Sequence, residues 1–266
     1  MHTTTPKIAT LLVMLLLLAA CNNQAASIPP TTAAMDMTSQ GHSMITTTGQ
    51  AQTVAQTTQG NSDAPPPPPV LNPAKGQEIG FAYEAFLTPQ QEGGEEKDTP
   101  PLTPNQFKST APSLLRNERT SRGHGIIRFT KDLSKAYVDV KVENVKPEDV
   151  VMFHIHCGRP GQLGPIIVDF AFEGNLQESL ADGILSATIT NEDLEREVAS
   201  GEGLIGAFTA GCPIVPGLPD KVKTIAGMQY IAEQGELYFN LHTKGQVFFG
   251  DIRGKVSPIP LSALEN

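Results

Sequence analysis

Apolar and polar residues alternate in short runs between residues 79 and 256, and this alternation is typical of β-strands that bury one face. Segments rich in Gly, Pro, Asn and Asp separate the runs and are expected to form turns. The pattern predicts strands at residues 79–87, 125–130, 136–142, 150–157, 166–172, 183–190, 236–242 and 247–256. The short gaps on either side of 136–142 favour an antiparallel meander. The sequence therefore predicts an all-β domain.

The segments between the strands are mostly turn-like. Residues 191–198 predict a short helix, with Asn191 or Thr190 as its cap and acidic residues in its first turn. Residues 88–104 are predicted to be a long surface loop and residues 200–234 an insertion loop, because both are rich in Gly and Pro. With 24 Gly, 22 Pro and no Trp, the composition favours turns over long helices.

The N-terminus has the pattern of a secretory signal. Lys7 precedes an apolar run at residues 8–20 that is too short to span a bilayer stably. The run ends in Leu-Ala-Ala-Cys at residues 18–21, which resembles the bacterial lipobox, and the resemblance implies lipidation of Cys21 after cleavage. Multiple acylation would then hold the chain on the extracytoplasmic side of a cell-envelope membrane. An ordinary cleaved signal and an uncleaved anchor are the alternatives.

The chain divides into four parts by composition. Residues 1–20 form the signal peptide, and residues 21–78 are rich in Thr, Gln, Ala, Ser and Pro, which predicts a disordered tether. Residues 79–257 form the folded domain, and residues 258–266 are a tail without an expected role. The net charge of −9, with both signs interspersed, argues against a nucleic-acid partner.

The candidate chemistry lies on two predicted strands. His154 and His156 leave the same face of one strand, and His242 leaves the polar face of another. Neutral imidazoles suit zinc or copper, so the three residues form a candidate metal site if the strands are neighbours. A hydrogen-bonded polar network that ties the strands together is the alternative. His124 opens an earlier strand and is expected to lie apart from the other three.

Two cysteines remain once Cys21 is set aside. In an oxidising compartment, Cys157 and Cys212 are predicted to form a disulfide that holds the 200–234 loop beside the histidine strand. The alternative is that Cys157 is a soft copper ligand, but it leaves the opposite face from His154 and His156.

Several of these motifs together resemble the CHRD domain, a module named from chordin. The motifs are Phe-His-Ile-His at 153–156, Gly-Pro-Ile-Ile-Val-Asp at 164–169, residues 183–190, Asn-Leu-His-Thr at 240–243 and Gly-Asp-Ile-Arg-Gly at 250–254. The resemblance implies an antiparallel Greek-key β-sandwich or barrel of the immunoglobulin or superoxide-dismutase type. It also implies a binding module outside the cytoplasm with a possible extracellular protein partner, since chordin binds growth factors.

A more distant resemblance is to Cu,Zn superoxide dismutase, whose copper strand has a similar Phe-His-Val/Ile-His pattern. The resemblance places His154, His156 and His242 at copper-ligand positions, whereas no bridging histidine or zinc cluster follows. We therefore expect a lipid-anchored CHRD-like domain with a three-histidine face for copper or zinc and no assigned catalytic residue. A copper-dependent superoxide dismutase-like enzyme is the alternative.

Overall fold

The structure is a computed structural model that describes residues 76–201, 203–215 and 219–265. The predicted signal peptide, Cys21 and almost all of the predicted tether lie outside these residues. Within them the chain forms two antiparallel sheets. Their strands are β1 (Ile79–Leu87), β2 (Arg122–Thr130), β3 (Ala136–Glu143), β4 (Val150–Cys157), β5 (Ile166–Asp169), β6 (Ile184–Ile189), β7 (Leu237–Thr243), β8 (Ile252–Lys255) and β9 (Ser257–Ile259). The first sheet has the order β6-β3-β2-β1-β9 and the second has the order β5-β4-β7-β8.

The path between the sheets is a Greek key. After β3 the chain crosses to the second sheet for β4 and β5, and then returns so that β6 pairs with β3. It crosses again so that β7 pairs with β4. The all-β domain predicted from the alternation and the Greek-key sandwich implied by the CHRD resemblance are therefore confirmed.

The predicted meander of three strands is wrong at its third strand. β2 and β3 pair as expected, but β4 pairs with β5 and β7 instead of β3. Asn144, in a left-handed conformation with φ 60°, and a short 3-10 helix at Pro147–Asp149 lie in the connection and redirect the chain. Because a hairpin and a crossing need connections of similar length, the short gap alone does not distinguish them.

The core lies between the two sheets, where the apolar positions of both alternations meet. Phe153 and Phe239 face it from the second sheet and Ile127 and Phe129 face it from the first, all fully buried. The ring centroids of Phe153 and Phe170 are 5.0 Å apart. Since these residues occupy one face of each strand, the polar residues of β4 and β7 leave on the opposite face of the second sheet.

Four α-helices occur within the described residues. They are α1 (Leu176–Ser179), α2 (Asn191–Ser200), α3 (Gly203–Thr209) and α4 (Ile225–Glu233). The predicted helix at 191–198 is confirmed as α2, whose capping-box Asp193 carboxylate accepts from the backbone N–H of Thr190. The predicted insertion loop at 200–234 is wrong, since it contains α3 and α4. The apolar spacing of Ile225, Met228 and Ala232 buries one side of α4.

Three further predictions are corrected. The predicted surface loop at residues 88–104 is not a plain one, because it contains two 3-10 helices and buries the carboxylates of Glu92 and Glu96, and a third 3-10 helix follows at Asn105–Phe107. The last predicted strand is shorter, since residues 247–251 form a loop before β8. The C-terminal tail has a role, because Ser257–Ile259 is a strand that pairs with β1.

The predicted disulfide is present. Cys157 and Cys212 are bonded, with their Cα atoms 6.0 Å apart. The bond joins the end of β4 to the segment after α3, and Cys212 is fully buried. The alternative role of Cys157 as a free copper ligand is therefore not supported.

Candidate metal centre

The three predicted histidines come together on the outer face of the second sheet. The antiparallel register of β4 and β7 pairs His154 with Asn240, His156 with Tyr238 and His242 with Met152. Each ring offers a nitrogen that lies within 4.8 Å of the other two. The two histidine strands are therefore neighbours, as expected, and their pairing brings residues from distant parts of the chain into one cluster.

His124 lies apart from this cluster, as expected. It is on β2 of the first sheet, where it stacks on Phe86 with ring centroids 4.6 Å apart. The separation arises because β2 and β4 belong to different sheets, and not from the meander that the sequence suggested.

Although the histidines leave the outer face of a sandwich, they are not exposed. The exposed fractions of His154, His156 and His242 are 3%, 8% and 5%. The loop between β7 and β8, near the cluster, is held to the segment at residues 88–121. The backbone N–H groups of Phe248 and Phe249 donate to the Glu96 carboxylate, and the Gln246 amide donates to the Leu114 carbonyl. This segment therefore adds a third layer over part of the second sheet.

One nitrogen of each ring is held by a fixed acceptor. His156 Nδ1 donates to the Gly164 carbonyl at 2.8 Å, and His242 Nδ1 donates to the Val247 carbonyl at 2.9 Å. His154 Nε2 lies 3.5 Å from the Asp169 carboxylate and donates to it. A carbonyl can only accept, so these bonds fix the tautomer of His156 and His242.

The other nitrogen of each ring is buried and has no hydrogen-bond partner. These atoms are His154 Nδ1, His156 Nε2 and His242 Nε2, one on each of the three clustered rings. A buried polar atom without a partner is unfavourable by roughly 1–3 kcal/mol. Three of them in one place, each with its partner nitrogen oriented by a second residue, is the arrangement that proteins use for metal-bound histidines.

Burial disfavours the charged form of two of the rings. Burial, together with the neighbouring His154, lowers the pKa of His242 to about 3. Burial also lowers the pKa of His156 well below its usual value, with His154 and His242 adding to the effect. Burial alone would raise the pKa of Asp169, but its hydrogen bond from His154 leaves that pKa lowered. His156 and His242 thus offer nitrogen lone pairs at neutral pH without having to lose a proton.

An aromatic and a cationic side chain support His156 from the side. The ring of Tyr238 is parallel to that of His156, with centroids 5.0 Å apart, and the Arg253 guanidinium carbon lies 3.4 Å from the Tyr238 centroid. Arg253 also donates to the carbonyls of Arg159 and Gln162. These residues orient the loop that carries Gly164, whose own N–H donates to the Tyr238 hydroxyl.

The donor set fits a first-row transition metal. Zinc binds imidazole nitrogen at about 2.0–2.1 Å, which places tetrahedral ligand atoms about 3.4 Å apart. One nitrogen from each ring lies within 4.8 Å of the other two. Small rotations of the side chains would therefore bring the three nitrogens to the spacing that one metal ion requires. The residues present therefore fit copper or zinc.

The sequence indicates the three ligand candidates and offers Asp169 and Arg253 as plausible supporting residues, but it gives neither of them a role. Asp169, Tyr238 and Arg253 lie in the same cross-strand rows as the histidines, and only the strand register reveals this. The alternation of β7 did place Tyr238 on the polar face, which was the one available signal. The acceptors Gly164 and Val247 act through backbone carbonyls, which a sequence pattern does not mark.

The fold and the cluster define an antiparallel β-sandwich with a buried histidine centre. A family model of the CHRD domain matches residues 85–256, and the chain belongs to the CHRD domain family. Comparison with curated proteins and with solved structures gives no match. Among the described residues no helix is both long and apolar enough to cross a bilayer.

Proposed function

We propose that this CHRD domain binds one transition metal ion, copper or zinc, through His154 Nδ1, His156 Nε2 and His242 Nε2. The observation that carries the proposal is the convergence of three buried nitrogens that lack partners, while the second nitrogen of each ring is engaged. A purely structural network would be expected to satisfy these nitrogens with each other or with neighbouring groups. A metal ion bound between the three rings would satisfy all three nitrogens at once.

The site resembles a binding centre more than an open catalytic one. All three rings are more than nine-tenths buried, and no charged residue is positioned as a base at the converging nitrogens. We therefore infer a role in metal binding, storage or structural support. The superoxide dismutase-like alternative rests on the His-Ile-His strand and His242, and it requires an anion to reach the metal.

We also propose that the domain is carried outside the cytoplasm on a lipid anchor at Cys21. The support is the apolar run at residues 8–20 that ends in Leu-Ala-Ala-Cys. The presence of a disulfide in the domain agrees with an oxidising compartment.

The metal proposal is tested with the full chain, purified in detergent without a histidine tag and loaded with Zn²⁺ or copper. Elemental analysis should give one metal per chain. His242→Gln should weaken binding by about 100-fold or more, whereas His124→Gln should not change it, since His124 lies in the other sheet. Absence of stoichiometric metal after loading would leave the histidines as a structural network. Superoxide turnover by the copper-loaded chain would instead favour the enzyme.

The anchor proposal is tested by labelling cells with a radioactive fatty acid. The wild-type chain should carry the label and fractionate with membranes. Cys21→Ala should lose both properties. A labelled Cys21→Ala chain, or an unlabelled wild-type chain, would contradict the proposed lipidation.

A further inference from the structure

A methionine stands beside the histidine cluster. Met152 is two residues before His154 on β4, so its side chain leaves the same face of the strand as those of His154 and His156. The register pairs Met152 with His242 of β7, next to an irregularity of the ladder between Val150 and Met152. Directly paired residues in an antiparallel sheet have Cβ atoms about 4.5–5.5 Å apart. Met152 is itself half-buried.

No other side chain of a common ligand type completes the cluster. Among His, Cys, Asp and Glu residues in the described part of the chain, only the three histidines group together here. A structural zinc site usually has four protein ligands, and a catalytic one exposes its fourth position to water. Here the converging nitrogens are buried, which disfavours an exposed water. The thioether of Met152 is the neutral donor that the fold places next to them.

The electrostatics favour a monovalent ion. Imidazole binds a metal as the neutral ring, so the three histidines bring no negative charge to the site. The carboxylate beside the cluster, Asp169, lies 3.5 Å from His154 Nε2. Arg253, itself largely buried, adds a positive charge on the far side of Tyr238. The unfavourable free energy of burying an ion grows with the square of its charge, so a dication is much harder to hold here than a monocation. Thioether sulfur and imidazole together suit copper(I).

We propose that the cluster is a copper(I) site in which Met152 supplies a thioether as the fourth ligand to the three histidines. This inference rests on the proposed metal binding and deepens it by naming the ion. It distinguishes the site from a three-histidine zinc centre, in which Met152 would be only a packing residue.

The experiment titrates the full chain, purified in detergent without a tag, with copper(I) under anaerobic conditions against a chromophoric copper(I) chelator. Zn²⁺ is titrated separately. Wild type should bind one copper(I) per chain at least about 100-fold more tightly than Zn²⁺. Met152→Leu, which keeps the size and polarity of the side chain, should weaken copper(I) binding by about tenfold or more and leave Zn²⁺ binding within about twofold.

Met228→Leu is the matched control. Met228 is fully buried in α4 on the core side, so this change removes a thioether without touching the cluster. X-ray absorption at the copper edge should show one sulfur neighbour in wild type and Met228→Leu and none in Met152→Leu. Equal copper(I) affinity of Met152→Leu and wild type, or tighter binding of Zn²⁺, would overturn the copper(I) assignment while metal binding stands. Failure of wild type to bind either metal would overturn the proposed function itself.

Discussion

Tyr238 lies against His156 with the two rings parallel to within 5° and their centroids 5.0 Å apart. The Tyr238 hydroxyl accepts from Gly164 N–H, and the Gly164 carbonyl in turn accepts from His156 Nδ1. One residue therefore fixes both the plane of the imidazole and the loop that selects its tautomer. The proposed metal centre would consequently depend on a side chain that is not among its three histidines.

Replacing this support should weaken metal binding without removing a ligand. Tyr238→Leu is expected to lower metal affinity by about 10- to 100-fold, the usual effect of losing a residue that orients a ligand. Tyr238→Phe keeps the stacked ring and loses only the hydroxyl, so its affinity should fall less. Competition titration with a chromophoric chelator measures both. Equal affinities for Tyr238→Leu and wild type would show that the stack is incidental.

Glu197 should make the stability of the domain depend on pH. Burial, together with the nearby Asp169, raises the pKa of Glu197 to about 7. The folded state therefore prefers the protonated acid. Stability is full below the ordinary pKa of 4.5, falls as pH rises towards 7 and is then constant.

Glu197→Gln should remove this loss of stability at higher pH. Its free energy of unfolding should exceed that of wild type by roughly 1–3 kcal/mol at pH 8 and should be nearly equal to it at pH 4.5. Urea unfolding at the two pH values measures the difference. Glu195→Gln, at an exposed position of α2, is the control. Its free energy of unfolding should follow that of wild type at both pH values. A Glu197→Gln variant that is less stable than wild type at pH 8 would contradict the assignment.

The disulfide should account for a large part of the stability. It closes a loop with a sequence separation of 55 residues. On the loop-entropy model this stabilises the fold by about 4 kcal/mol. Cys157→Ala combined with Cys212→Ala should therefore lower the free energy of unfolding by about that amount, and reduction of wild type should give a similar loss. A change below about 1 kcal/mol would mean that the unfolded chain is already constrained.

Gly250 should tolerate no side chain. Its φ is +103°, and a Cβ atom there would lie 2.0 Å from Asn240 Oδ1 and 2.8 Å from Glu92 Oε1. Both of these side chains are buried, and Glu92 belongs to the segment at residues 88–121. Gly250→Ala is therefore expected to destabilise the domain by about 3 kcal/mol or more, through strain and overpacking together.

Gly161 provides the control for this effect. Its φ is +77°, but no atom lies within 4 Å of where a Cβ would be. Gly161→Ala should thus show the backbone strain alone, about 1–2 kcal/mol. Thermal unfolding of the two variants compares them. Equal losses would indicate that the contact between Gly250 and Asn240 relaxes without difficulty.

The parts of the molecule that could be predicted are those set by local alternation. The run from Phe153 to His156 fixes which residues share a face, and this holds in β4 whichever strand is its neighbour. The bounds of β1 and β4 were likewise predicted correctly, because turn-forming residues flank both strands. The three ligand candidates follow from the same alternation.

The parts that could not be predicted depend on long-range contacts. The crossing of β4 to the second sheet is decided by packing between sheets, which a short connection does not encode. The burial of Glu92 and Glu96 was missed because a segment rich in Glu, Gly and Pro is usually solvated, and only contacts with residues 248–250 place it over the sheet. The Gly164 and Val247 carbonyls were missed because a sequence pattern does not mark a backbone acceptor.

The most direct test of the metal centre is a crystal structure of the metal-loaded domain with anomalous diffraction recorded at the metal edge. Metal binding by the three histidines predicts one strong anomalous peak, about 2 Å from His154 Nδ1, His156 Nε2 and His242 Nε2. A loaded crystal with no peak at these three nitrogens, or with its peak at another part of the surface, would contradict it.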